Sequence, residues 1–266
     1  MIRKPVVAGA FYPGGKKELT QQLAEMIDVV EPKKKVIGLI SPHAGYIYSG
    51  ACAGKGFGRV VVPDTVIVLG VNHHGFGHAY AVDGHDAWNT PLGDIAIDIQ
   101  LREKLVANSG IFMVDSTAGS REHSLEVQVP FIQYVNPNAK ILPITISSVY
   151  ANTLIAAGKE IARAIQGRND VLIVASTDMS HYIDAESAKL KDSKAIEKIQ
   201  KLDAEGLFNT VASERITMCG VSPTTMMISA ALELGAKNAE MIEYTHSGKV
   251  SGDNYQVVAY LSMIVF

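Results

Sequence analysis

Cysteine is scarce in this sequence: Cys52 and Cys219 are the only two among 266 residues, and they lie far apart. A secreted disulfide scaffold spaces an even set of cysteines closely, so that class is excluded and a reducing compartment is expected. Long apolar runs are missing too. No stretch approaches the ~18 residues of a membrane span. The opening "MIRKPVVAGAFYPGG" is interrupted at Gly9 and Pro13, too early for a signal-peptide core. Charge of one sign never accumulates. The nearest approach is "PKKKV" at 32–36, which reads as a solvated turn before a strand. With a net charge of −3, nucleic acid is not expected as a partner. Internal repeats and low-complexity linkers are also lacking. The expectation is one domain over 1–266, soluble and cytoplasmic, with no membrane partner.

What is present is an ordinary globular balance, 47% apolar and 19% charged, enough to fill a substantial core. Short apolar runs at Lys35–Ser41, Thr65–Gly70, Lys140–Ser147, Asp170–Ser176 and Tyr255–Phe266 read as strands. Most are continuously apolar rather than alternating, which suggests cover on both faces. Pro143 inside the third run predicts a bulge or an edge position. Helical stripes lie between the strands. Leu154, Gly158, Ile161, Ala162 and Ile165 form one, with Gly167 where a terminating glycine belongs; Leu19, Leu23, Met26 and Ile27 form another. Gly220–Leu234 reads as a helix ending at Gly235, and the charge-rich Asp184–Lys201 as a solvent-facing one. Strands alternating with helices give an α/β fold with a mostly parallel or mixed central sheet. Ligands in such folds gather beyond the carboxyl ends of the strands.

Those ends carry the chemistry. His43 follows the first run, His73 and His74 follow the second, and Asp178 and His181 follow the fourth. If the strands run parallel, these residues converge. Adjacent residues in extended backbone point to opposite sides, so one of His73 and His74 enters the site and the other faces away. Cys219 precedes a helix, where the positive end of the dipole favours thiolate; Cys52, among small residues, reads as core. In "SREHSLEVQVPF", Glu122 and Glu126 stand one turn apart as a charged helix start, with His123 at the pocket rim. His78, His85 and His246 have no such setting.

Seven short motifs, "GAFYP" at 9–13, "SPHAGYIYSG" at 41–50, "LGVNHHG" at 69–75, "TPLG" at 90–93, "EHSLEVQVPF" at 122–131, "STDMSHY" at 176–182 and "CGVSP" at 219–223, occur in the order seen in the Memo family, which this chain resembles along nearly its whole length. Bacterial and archaeal members are also called AmmeMemoRadiSam system protein B. The resemblance implies a three-layer α/β/α fold like that of class III extradiol dioxygenases. It implies metal ligands at His43, His73 and Cys219, with Asp178 and His181 beside them, and selects His73 over His74. It also implies genomic company with a radical-SAM protein. The dioxygenases hold iron with two histidines and a carboxylate, whereas Cys219 stands at the third position here. Two imidazoles and a thiolate suit iron or copper, and zinc as well.

Three readings follow. The first is a metal-dependent redox enzyme acting on a small molecule, with His181 as acid/base and Asp178 orienting His181 or a metal-bound water. The second is a zinc-type hydrolase. The third is a binding module whose pocket rim is Tyr46, Tyr48, His74 and His123. The apolar last strand leaves a homo-oligomer open.

Overall fold

The computed structural model describes residues 1–266. Its centre is a nine-stranded mixed sheet. The four strands that matter most to the site are β2 (Gly38–Ser41), β3 (Thr65–Val71), β8 (Lys140–Ile146) and β9 (Val171–Ser176). They lie in the order β2-β9-β3-β8 and run parallel. Leu39, Ile40, Val66–Leu69, Ile141, Leu142, Ile144 and Leu172–Ala175 are all buried, which accounts for apolar runs without alternation. β4 (Tyr80–Val82) and β7 (Met113–Val114) extend the sheet beyond β8. β5 (Ala87–Thr90) and β6 (Gly93–Ala96) join β1 (Ile2–Arg3) in a separate three-stranded sheet.

At the other side β12 (Val257–Val265) has both edges covered. β11 (Ala239–His246) runs along one edge. On the other, β2 pairs with Met263–Val265 and β10 (Asp178–Ile183) with Val257–Tyr260. The last strand is therefore interior. β11 ends the sheet, and its Glu240 and Glu243 are paired with Lys34 and Lys55.

Helices cover both faces. Successive residues in a strand point to opposite sides, and β2 illustrates it. The Gly38 position abuts Met227 of α9 (Val221–Glu233), while Leu39 lies against Gly56 of α2 (Tyr46–Arg59). α6 (Ala151–Ile165) and α8 (Ala204–Ser213) pack on α9, and α3 (Ile99–Asn108) packs on α6. On the α2 side lie α1 (Lys16–Met26) and α5 (Val129–Val135), with the one-turn α4 (His123–Glu126) against β3 and β8. α7 (Ala185–Gln200) packs on β10, β11 and β12, and the short α10 (Gly248–Ser251) follows β11. The expected three-layer α/β/α arrangement is what the chain adopts.

Three local expectations need correction. Pro143 sits within β8, between β3 and β4, with unbroken register opposite Val68. Its carbonyl accepts the Asp83 N–H, and a strand residue's N–H and C=O face the same neighbour. The missing donor thus falls where pairing passes from β4 to the Ile97–Asp98 segment. The helix over 184–201 is not wholly solvent-facing: Ala188, Asp192, Ala195, Ile196 and Ile199 form a buried stripe. Beyond β9 the chain continues as the strand β10, which carries Asp178 and His181. Glu122 and Glu126 are fully buried, not a charged surface.

Candidate metal centre

The strand ends converge as the parallel sheet requires. Ser41 pairs with Ser176, and Leu69 with Ala175, so β2, β9 and β3 end side by side. His43 follows β2 by two residues, His73 follows β3 by two, and Asp178 opens β10 just beyond β9. α4 brings His123 to the same place. It can seat there because Gly70 has no side chain: a Cβ at Gly70 would stand 2.6 Å from Leu125 Cγ and 2.7 Å from Ser124 Oγ. The Ser124 hydroxyl bonds Val71 N and O across that contact.

His43, His73 and His123 each offer one ring nitrogen, and these atoms lie within 4.8 Å of one another. The rings of His73 and His123 stack at 4.7 Å, and His43 meets both edge-on at 5.4 Å. His43 is buried, His123 is half-buried and His73 faces solvent, so the cluster opens on one side. Burial, then the neighbouring imidazoles, push His43 well below the usual histidine range and His123 down to about 4. Both rings are thus neutral at pH 7, the form that ligates.

A buried carboxylate orients the exposed ring. Glu122, the N-cap of α4, accepts His73 Nδ1–H at 2.9 Å, His73 N–H at 2.8 Å and Ser124 N–H at 2.8 Å. Burial raises its pKa, yet these hydrogen bonds win and hold it at about 2. With Nδ1 committed, His73 presents Nε2 to the cluster.

Cys219 Sγ lies 3.2 Å from His43 Nε2, so the sulfur meets one histidine, but the group of mutually close donors is completed by His123 rather than by Cys219. The expected thiolate is not favoured in the metal-free protein, however. α9 starts at Val221, leaving Cys219 ahead of its first turn, and burial, then Asp178, push the thiol up. Asp178 also departs from expectation. Its Oδ1 accepts the His43 backbone N–H at 2.8 Å, and burial raises the carboxyl to about 6. His181 is oriented instead by carbonyls: Nδ1 donates to Met179 O at 2.7 Å and Thr217 O at 2.9 Å. Asp178 and His181 nonetheless share a face. They are three residues apart but pair with Tyr260 and Val258, two apart, so a bulge supplies the extra residue.

Two rim candidates sit elsewhere. Tyr46 is a core residue, packed on Phe131 with its hydroxyl donating to Val127 O at 2.6 Å. His74 is exposed and turned to the Arg121 carbonyl at 3.0 Å, beside Phe76. His123, expected at the rim, stands inside the cluster, backed by Phe11 at 4.8 Å. Ser176, Gln128 and Phe11 carry no individual signal in the sequence, and Glu122 reads there only as part of a charged helix start. A buried acid looks like a surface acid in a hydropathy pattern, and the one available sign for Glu122 was its position directly before His123. Two cavities of about 540 and 600 Å³ lie at the other end of the sheet, around Asp64, Arg168 and Asp170, and neither includes a histidine.

A sequence model described as "Memo-like protein" matches residues 3–264. A MEMO1 family protein of Aquifex aeolicus is 42% identical over 270 residues, covering 99% of this chain and 98% of its own. Those of Methanococcoides burtonii and Nitrosopumilus maritimus are 40% and 37% identical, covering 99% and 98% of this chain and 100% and 98% of their own. Among solved structures, the fold is similar to the uncharacterized protein JW3007 from Escherichia coli K12. The TM-score is 0.52 at 14% identity, covering 86% of this chain and 99% of that one.

Proposed function

The chain belongs to the Memo family, and on that premise we propose that it is a metal-dependent redox protein acting on a small molecule. The observation that carries the reading is the histidine cluster, three ring nitrogens within 4.8 Å. The donor set fits a transition metal: three imidazoles with a sulfur 3.2 Å from one of them. His43, His73 and His123 would hold the ion, with Cys219 as a fourth donor. Such an ion, iron or copper, supplies one-electron chemistry.

The protein's own residues have separable tasks. Glu122 fixes the His73 ring, and Asp178 ties the backbone of His43. His181, with Nδ1 committed to carbonyls and Nε2 left free of them, is the group to exchange a proton with a bound substrate. The solvent-facing side at His73 admits that substrate.

The test is elemental analysis of untagged protein purified anaerobically. Stoichiometric iron or copper, reduced at least ~10-fold by His43→Ala or His123→Ala, is the expected result. No bound metal in the wild type overturns the reading. Metal content retained in Cys219→Ser, with no sulfur neighbour near ~2.3 Å by X-ray absorption, would reduce the donor set to the histidines. One observation favours a second reading. His123 completes a three-imidazole set of the kind that holds zinc with an open position, so stoichiometric zinc would point to hydrolysis.

A further inference from the structure

Behind His43 lies a buried polar chain whose hydrogens can be assigned by elimination. Ser176, the last residue of β9, has its hydroxyl 2.6 Å from the Ser124 carbonyl, 2.9 Å from Gln128 Nε2 and 3.0 Å from His43 Nδ1. A serine hydroxyl has one proton and two acceptor sites. A carbonyl can only accept, so the one proton goes to Ser124 O. Gln128 Nε2 carries two hydrogens, one for Pro42 O at 2.9 Å and one for Ser176 Oγ. Turning the amide over would set its oxygen against the Pro42 carbonyl, acceptor against acceptor. The amide keeps its orientation although that leaves Oε1 buried without a partner. One acceptor site then remains on Ser176, and it faces His43 Nδ1. That nitrogen must carry the ring's proton.

We propose that Ser176 and Gln128 are positioning residues that lock His43 as the Nδ1–H tautomer and so present the Nε2 lone pair to the histidine cluster. Ser176 selects the tautomer. Gln128 fills the second acceptor site on Ser176 and holds the Pro42 carbonyl, which anchors the turn that carries His43. All three side chains are buried, as are Ser124 and Ser41, so water does not offer an alternative partner. The assignment rests on the reading of His43 as a metal ligand only for its purpose; the tautomer itself is a property of the metal-free protein.

The test uses that separation. In metal-free protein with nitrogen-15 histidine, long-range proton–nitrogen NMR distinguishes a protonated ring nitrogen from a bare one. The expected result is Nδ1 protonated and Nε2 bare at His43 in the wild type. Ser176→Ala is expected to raise the Nε2–H form and to weaken binding of Co²⁺, used as a spectroscopic probe, about 10- to 100-fold. Ser176→Thr, which keeps the hydroxyl, is expected to restore both. Nε2–H in the wild type overturns the proposal even if Ser176→Ala does not fold. Unchanged tautomer and affinity in a folded Ser176→Ala also overturn it. A wild type with the expected tautomer that binds no metal refutes the redox reading and leaves the tautomer assignment standing.

Discussion

A carboxylate that accepts two backbone N–H groups and an imidazole N–H has most of its lone pairs spent, so Glu122 orients rather than ligates. Glu122→Gln replaces one acceptor oxygen with a donor and sets it against His73 or Ser124. The expected cost is about 1–3 kcal/mol of stability and about a 10- to 100-fold loss of metal affinity. Thermal unfolding and chelator competition measure the two. Glu126 is buried as well but serves packing: it accepts Arg3 Nη1 at 2.6 Å, the N–H groups of Val6 and Val7, and the Tyr12 hydroxyl. The same residues give the metal-free protein a definite acid response. His43 and His123 have pKa values depressed below 6.5, so between pH 6.5 and about 4 the unfolded chain binds protons that the folded one refuses. These two histidines therefore contribute a loss of stability as pH drops through that window, partly offset by Asp178, whose carboxyl, raised to about 6, takes up a proton more readily in the folded protein. Glu122 adds a second loss between pH 4.5 and about 2, as its depressed carboxyl is protonated. Urea midpoints against pH test this, and His123→Asn should flatten the upper part of the curve.

At the level of elements, α4 matters out of proportion to its four residues. It touches the end of β3 through Ser124, the end of β9 through the Ser124 carbonyl, and the His73 loop through Glu122. Its closeness to β3 depends on Gly70. Gly70→Ala would drive a methyl to 2.6 Å from Leu125, and overpacking of this kind costs about 1–3 kcal/mol. Lower metal affinity than wild type in the surviving fold is expected, because α4 carries His123. Gly110→Ala, with open space around it and ordinary φ, is the neutral control. The strand ends were legible from sequence because parallel strands are continuously apolar and stop at a polar turn. His43 and the His73–His74 pair could be placed for that reason, while the choice of His73 came from the family resemblance. α4 was read as a charged helix start because nothing in "EHSLE" distinguishes a paired, buried acid from a solvated one. β10 was missed because its bulge breaks the two-residue period, and Tyr182 enters the left-handed region at φ 57°.

At the scale of the whole molecule, the amino-terminal segment is fastened to a helix more than a hundred residues away. Arg3 and Glu126 form an ion pair with both side chains almost wholly buried, and Arg3 also lies 4.1 Å over the Trp88 ring. Removing one member of such a pair strands the other charge, so Arg3→Ala is expected to cost about 3–5 kcal/mol. Hydrogen exchange should then rise at Val6, Val7 and the Phe11 wall behind His123. The α/β class was legible in the patterning, since it follows from alternating apolar runs. The patterning did not give this long-range fastening, because an arginine near a terminus ordinarily reads as solvated.

The manner in which the sheet stops has its own consequence. β11 leaves one margin of backbone unpaired by any other strand, yet glutamates matched to lysines of the α2 side and its approach punctuate that margin. A foreign strand that tried to continue the ladder would have to strip water from those charges. Replacing Glu240 and Glu243 with valine should therefore convert an inert border into a sticky one, seen as concentration-dependent self-association in light scattering.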